Sequence, residues 1–200
     1  NFVATGTEGN ALIAVKDADG TILWSWHIWI TDTPQEHTFT NSVGNFTIMD
    51  RNLGATSATL SQDAMGLFYQ WGRKDPFRFD DLDRSLSTVY DVQVAIQNPT
   101  KYIAGDYWLE PHDNTLWART KTMYDPCPAG WVVAGSEVWN DAYRIHDQDG
   151  QLGGITLVYS NNPNTYVEAW YQDTPRTDAG GNWDGGPGDD STEFWTVNER

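Results

Sequence analysis

Residues 21–32 read TILWSWHIWITD, and the two-residue alternation of this stretch decides what kind of chain it belongs to. In an extended strand Ile22, Trp24, Trp26, Ile28 and Ile30 share one face, and Leu23, Ser25, His27, Trp29 and Thr31 share the other. One face is wholly apolar and the other carries no charge, so the expectation is a strand covered on both sides in the middle of a sheet. Upstream, ALIAVK at 11–16 is a second strand, and Asp17-Ala18-Asp19-Gly20 between the two has turn chemistry, with Gly20 free to take a positive φ. The pair is a hairpin. Each of its tryptophans can bury about 150–250 Å², so the hairpin is expected to seed the core.

Working outward, 200 residues suit one domain large enough to bury a core without cross-links. Cys127 is the single cysteine, which excludes an intrachain disulfide and a zinc site built from several thiolates. The formal charge of −16, from 28 acidic and 12 basic side chains, would repel a phosphate backbone, so nucleic acid is not an expected partner. About half of that net charge lies in residues 147–200. No apolar run is long enough to span a membrane as a helix, and a chain beginning at Asn1 reads as an excised piece, either a mature secreted domain or one module of a longer surface protein.

Along the chain, residues 1–10 read as a linker from an upstream module and 11–200 as one domain. Thr33 to Asn45 reads as loop and Phe46 to Met49 as a short strand, followed by Asp50-Arg51-Asn52, a polar knot fixing a turn. SQDAMGLFYQW at 61–71 offers a helix capped by Ser61, with Ala64, Leu67, Phe68 and Trp71 on one stripe and Gly72 as its stop. Arg73-Lys74-Asp75-Pro76-Phe77 leads out of it. Residues 78–117 show no steady period and read as a long excursion with short elements near Val89–Ile96 and Tyr102–Leu109. TMYDPCPAGW at 122–131 must be a fixed turn; a second short helix is expected over Glu137 to Ile145 behind Ser136. Ile155 to Tyr159 and Tyr166 to Gln172 read as strands, residues 173–193 as glycine-rich loop, and Phe194 to Val197 as the start of a last strand.

The blocks GNALIAVKDADGTILWSWHIWITD, MDRNLGAT, GLFYQWGRKDPF and TKTMYDPCPAGW occur in that order over residues 9–131. Through them the chain resembles the C-terminal domains of fimbrillin-type pilus-tip and surface-lipoprotein adhesins of Gram-negative gut anaerobes, related to the Fibrobacter major paralogous domain. The resemblance implies an α+β, C-type-lectin-like fold: a twisted, mostly antiparallel sheet with two short helices and long loops. It also implies export to the cell surface, outer membrane or pilus tip, and no enzymatic activity. Two features depart from the family pattern. Val132-Val133-Ala134-Gly135 stands where a basic residue and a proline are common, and the chain ends at Arg200 soon after Trp195. An edge left open by a missing closing strand would be available to another chain.

Candidate sites fall in the last third. Tyr166, Trp170, Tyr171 and Trp183 lie among Asn161, Asn162, Asn164 and Asn182, and flat aromatic faces beside amides suit a sugar ring or a protein epitope. Trp170 and Trp195 read first as core residues of flanking strands, and Trp183, among glycines, as exposed. Asp178, Asp184, Asp189 and Asp190 form an acidic set that could hold a hard cation, with calcium the one it would suit. Solvated acid is the plainer reading of the same residues. Trp139-Asn140-Asp141 has the letters of a calcium-lectin motif but sits on an expected helix without its Glu-Pro-Asn or Gln-Pro-Asp partner. Asp147-Gln148-Asp149-Gly150 starts like a calcium loop, yet Val158 stands where the closing Glu is required.

No phosphate loop, nucleophile elbow or nucleotide fingerprint occurs. His27, His37, His112 and His146 lack metal-ligand spacing, His27 reads as a satisfied structural imidazole, and Cys127 as a small buried filler. The expected function is a non-enzymatic adhesin domain binding a host or bacterial glycan or protein through its late loops. A structural module that only docks onto neighbouring pilus or surface subunits is the alternative.

Overall fold

The computed structural model describes residues 6–59, 61–64, 66–78, 83–140, 142–146, 154–159, 166–172, 176–177 and 183–184. They form a mixed α+β fold of small sheets, nearly all antiparallel, with one short α-helix. No helix among the described residues is long and apolar enough to cross a membrane.

The expected hairpin is present. β1 (Gly9–Lys16) pairs antiparallel with β2 (Ile22–Ile30) in the register Ala11 to Ile28 and Ile13 to Trp26, with an irregularity at Val15/Lys16. Asp17 closes its turn, its carboxylate accepting from Asp19 N and Thr21 N while Gly20 takes a φ of 87°. The expected central position is overturned. Among the described residues β2 pairs with β1 alone, Trp26 is 48% exposed, and Ser25, a polar residue, is the one fully buried position of the strand. The physical reason lies on the face expected to be secondary: Ser25, His27 and Trp29 hydrogen-bond into the body of the protein, so that face turns inward.

β3 (Glu36–Thr40), inside the stretch expected to be loop, pairs antiparallel with β4 (Asn45–Met49), the short strand expected over Phe46 to Met49, and the two form a second hairpin. Its exposed positions are polar and mostly threonine, with Thr38 and Thr47 paired at 3.0 Å, and Phe39, Ile48 and Met49 mark the buried side. Beyond it, the helix expected over 61–71 is replaced by a 3-10 turn, Gln62–Ala64, and by β5 (Phe68–Tyr69) paired with β6 (Pro76–Phe77). Gly66 breaks the helix with a φ of 72°, and a Cβ there would lie 2.5 Å from Leu53 O. The short approach lets Leu67 N bond Leu53 O, tying this strand to the turn after β4.

A buried cluster of the core lies in the excursion. β7 (Asp83–Val89) and β8 (Lys101–Leu109) run parallel, joined by α1 (Val92–Gln97), so the chain makes a compact β-α-β crossover. Asp91 caps α1 by accepting from Gln93 N at 2.8 Å. Val89, Ala95, Ile103, Trp108, Leu109 and Leu116 form a buried cluster, with Leu86, Val92, Val94 and Tyr124 packed against it. Trp71 stacks on His112 and tilts against Trp117, and two buried indole N–H groups find carbonyls: Trp108 donates to Trp71 O and Trp117 to Tyr124 O.

The second expected helix is also corrected. Ser136–Trp139 is a 3-10 turn whose N-cap is Gly135, and the chain then enters β9 (Ala142–His146). The β-branched and aromatic residues of that stretch pair with β10 (Gly154–Tyr159) rather than coil. β10 in turn pairs with β11 (Tyr166–Gln172), giving a three-stranded antiparallel sheet in the order β11-β10-β9. Within the expected loop of 173–193, β12 (Arg176–Thr177) pairs with β13 (Trp183–Asp184).

Candidate functional site

The densest polar chemistry among the described side chains lies under the inner face of the first hairpin. Asp75 is buried in the body, where it accepts from Ser25 Oγ at 2.7 Å and from Lys74 Nζ at 2.8 Å. Lys74 Nζ also donates to Ser25 O at 2.9 Å and lies 4.4 Å from the ring centre of Trp24. Burial pulls the Lys74 ammonium below its ordinary pKa, opposed by the adjacent Asp75 carboxylate.

One strand position further, Asn10 Nδ2 donates to Gly54 O at 2.7 Å, which fixes its Oδ1 as an acceptor. His27 Nε2 faces that oxygen at 2.9 Å and must carry the proton; Nδ1 then accepts from the Tyr69 hydroxyl at 2.9 Å. Burial holds His27 neutral, its pKa drawn down to about 4 against the pull of Asp75, and raises the Tyr69 phenol well above its usual value. The expectation of a satisfied structural imidazole is met.

A serine, a lysine and a carboxylate in contact, with a histidine two positions along the strand, invite a catalytic reading, but the geometry opposes it. Ser25 is 1% exposed, its hydroxyl donates to a carboxylate rather than to a base, and both His27 nitrogens are engaged. The cluster clamps the hairpin to the β5–β6 segment.

Other charged residues serve the same end. Arg51 is buried and bonds both oxygens of Asp50, at 2.8 and 3.0 Å, and reaches Asp32 across the base of the hairpin. These carboxylates raise its already high pKa. The Asp-Arg knot expected from MDRNLGAT is therefore present. Arg73, also buried, donates to Lys101 O at 2.8 Å, Asn98 O at 3.0 Å and Ala95 O at 3.4 Å. It satisfies carbonyls at the C-terminal end of α1, and burial brings its pKa down to about 10. Lys121 gathers Asp125 Oδ1 at 3.0 Å, Cys127 O at 2.6 Å and Trp131 O at 3.1 Å, which rigidifies the TMYDPCPAGW turn. Cys127 is half-buried and its thiol is pushed up by burial and by Asp125, away from nucleophilic character. Sequence reasoning passed over Ser25, Tyr69, Lys74 and Asp75 as a group. The available signal was three consecutive charges, Arg73-Lys74-Asp75, wedged between Trp71 and Phe77.

The late-loop residues fall differently. Tyr166, Trp170 and Tyr171 all lie on β11, where Tyr166 pairs with Val158 and Tyr171 with Ile155, on either side of a register shift. Trp183 stands opposite Thr177 and Asp184 opposite Arg176 in the β12–β13 pair. Asn161, Asn162, Asn164, Asn182, Asp178, Asp189 and Asp190 lie outside the described residues, as do Trp195 and the Asp147–Gly150 stretch. Of the acidic set, then, only Asp184 is placed. No group of three or more His, Cys, Asp or Glu positioned to hold a metal occurs among the described residues. Trp139 and Asn140 end a 3-10 turn.

Compared with protein-family models, with curated proteins and with solved structures, the chain returned no match.

Proposed function

We propose that the chain is a non-enzymatic recognition domain of an exported adhesin, acting at a cell surface or pilus tip and binding a glycan or protein through its last third. One observation carries the reading. The buried acids and bases under the hairpin, at Arg51 and at Arg73 are engaged with one another or with backbone carbonyls in frame-holding networks. Those networks coincide with the four blocks on which the family resemblance rests: the hairpin, Asp50-Arg51, Tyr69 to Asp75, and Lys121 to Trp131. A frame built this way leaves ligand choice to the remaining segments, where Tyr166, Trp170, Tyr171 and Trp183 bring aromatic surface and Asn162, Asn164 and Asn182 bring amides. Calcium, held by Asp178, Asp184, Asp189 and Asp190, is the cation this reading would add.

A glycan array probed with wild type and with Trp183→Ala and Trp170→Ala tests the proposal. Binding that falls at least about tenfold in either variant supports it. Silence of the wild type on glycans and on candidate protein receptors would transfer the role to a structural module docking onto neighbouring subunits. Elemental analysis of the purified protein, repeated after a chelator, tests the calcium.

A further inference from the structure

The two edges of the first hairpin are finished in opposite ways. The β2 edge is covered: Lys74 Nζ bonds the main-chain Ser25 O, and α1 lies close by. The β1 edge has no partner strand among the described residues: β1 pairs with β2 alone, and Asn10, Ala11, Ala14, Val15 and Lys16, drawn from both faces, are exposed. Natural edge strands are commonly blunted by proline, by inward charge or by a mid-strand bulge; GNALIAVK has no proline, one charge at its last position, and an irregularity only at Val15/Lys16. The register places Ala11, Ile13 and Val15 on one face with Ile28, Trp26 and Trp24. On that face Val15 is 44% and Trp26 is 48% exposed, with no polar side chain in the register that could orient a sugar hydroxyl. Charge selects the occupant further. Asp17 and Asp19 stand at one end of the hairpin and Glu8 and Asp32 at the other, against exposed Lys16 and buried Arg51, in a chain of net charge −16. A second copy of this chain would meet like charge.

We propose that the β1 edge receives an extended, alternately apolar segment of a partner protein with basic residues at its ends, added as a third strand beside β1 with its apolar side chains against Val15 and Trp26. Main-chain hydrogen bonds would give the affinity, and the acidic hairpin ends would select basic flanks. This surface is separate from the late segments that the adhesin reading uses, so either proposal can fail alone.

The test titrates the whole chain with a labelled peptide of alternating valine and threonine, as long as β1, with lysine at both ends. The same peptide ending in glutamate is the control, and amide exchange is followed on β1. Expected are binding of the lysine-ended peptide with slowed exchange at β1, about tenfold weaker binding for Val15→Lys, and about threefold weaker for Asp19→Lys. Both substitutions are at exposed positions, and matching thermal midpoints would establish that the variants stay folded. Absence of binding, equal binding of the glutamate-ended peptide, or self-association in sedimentation with no peptide uptake would each overturn the proposal. The last outcome would give the edge to a second copy.

Discussion

The hairpin Gly9–Ile30 and the β-α-β unit Asp83–Leu109 invert what their compositions suggest. The hairpin holds three tryptophans in six residues, yet Trp26 remains half exposed and its deepest side chain is a serine. The β-α-β unit has no readable period, yet it contributes Ile103, Trp108 and Leu109 to the buried cluster, with Ile103 at 0% exposure. Burial follows from how many elements surround a position, not from how apolar it is. A two-stranded ribbon has only its inner face to offer, whereas a parallel pair crossed by a helix is enclosed by its own connection.

That contrast can be broken by substitution. Removing the guanidinium in Arg73→Met should have the largest effect, about 3–5 kcal/mol in chemical denaturation, because the buried carbonyl of Ala95 and the part-buried carbonyls of Asn98 and Lys101 lose their charged donor together. Ile103→Ala in the enclosed unit should cost about 2–5 kcal/mol through the cavity it leaves. Gly66→Ala should cost about 1–3 kcal/mol, since the new Cβ meets backbone at Leu53 and the φ is positive. Trp26→Ala should cost about 1–2 kcal/mol, and a loss above that of Ile103→Ala would sink the half-exposed description of the hairpin.

A pH series sharpens the comparison from the polar side. His27 has a folded pKa near 4 against an ordinary 6.5, so between those values the unfolded chain binds more protons and stability falls as pH drops. The contribution is fully present above pH 6.5 and lost on the way down to about pH 4. With solvent screening allowed for, it amounts to about 2 kcal/mol. His27→Gln should flatten that slope, measured by thermal or denaturant midpoints across the range. An unchanged slope would mean that the Asn10–His27–Tyr69 relay does not hold the ring neutral.

The partners of the hairpin's inner face could not be read in advance. Alternation placed Ser25, His27 and Trp29 together, but a period of two does not say which face is inside when one is apolar and the other merely uncharged. The answer came from Tyr69, Lys74 and Asp75, which lie 42 to 50 positions away in the chain. Both misplaced helices failed for local reasons: a positive-φ glycine at Gly66, and a run of strand-forming residues at 142–146 that found a partner in β10. The strand Glu36–Thr40 was hidden because its outward positions are threonines, which read equally well as loop.

By itself the sequence determined the local grammar: the first hairpin and its turn, the Asp50-Arg51 knot, the strands at 155–159 and 166–172, and the single free thiol. Each is written in residues that are neighbours or share a short period, so chain geometry alone specifies it. Only the tertiary structure decided which hairpin face is inside, that Arg73 closes α1, and that the unpatterned excursion holds a buried cluster of the core. Those outcomes depend on contacts between distant segments, where the cost of burying a charge or a hydroxyl is set by partners that no local pattern reveals.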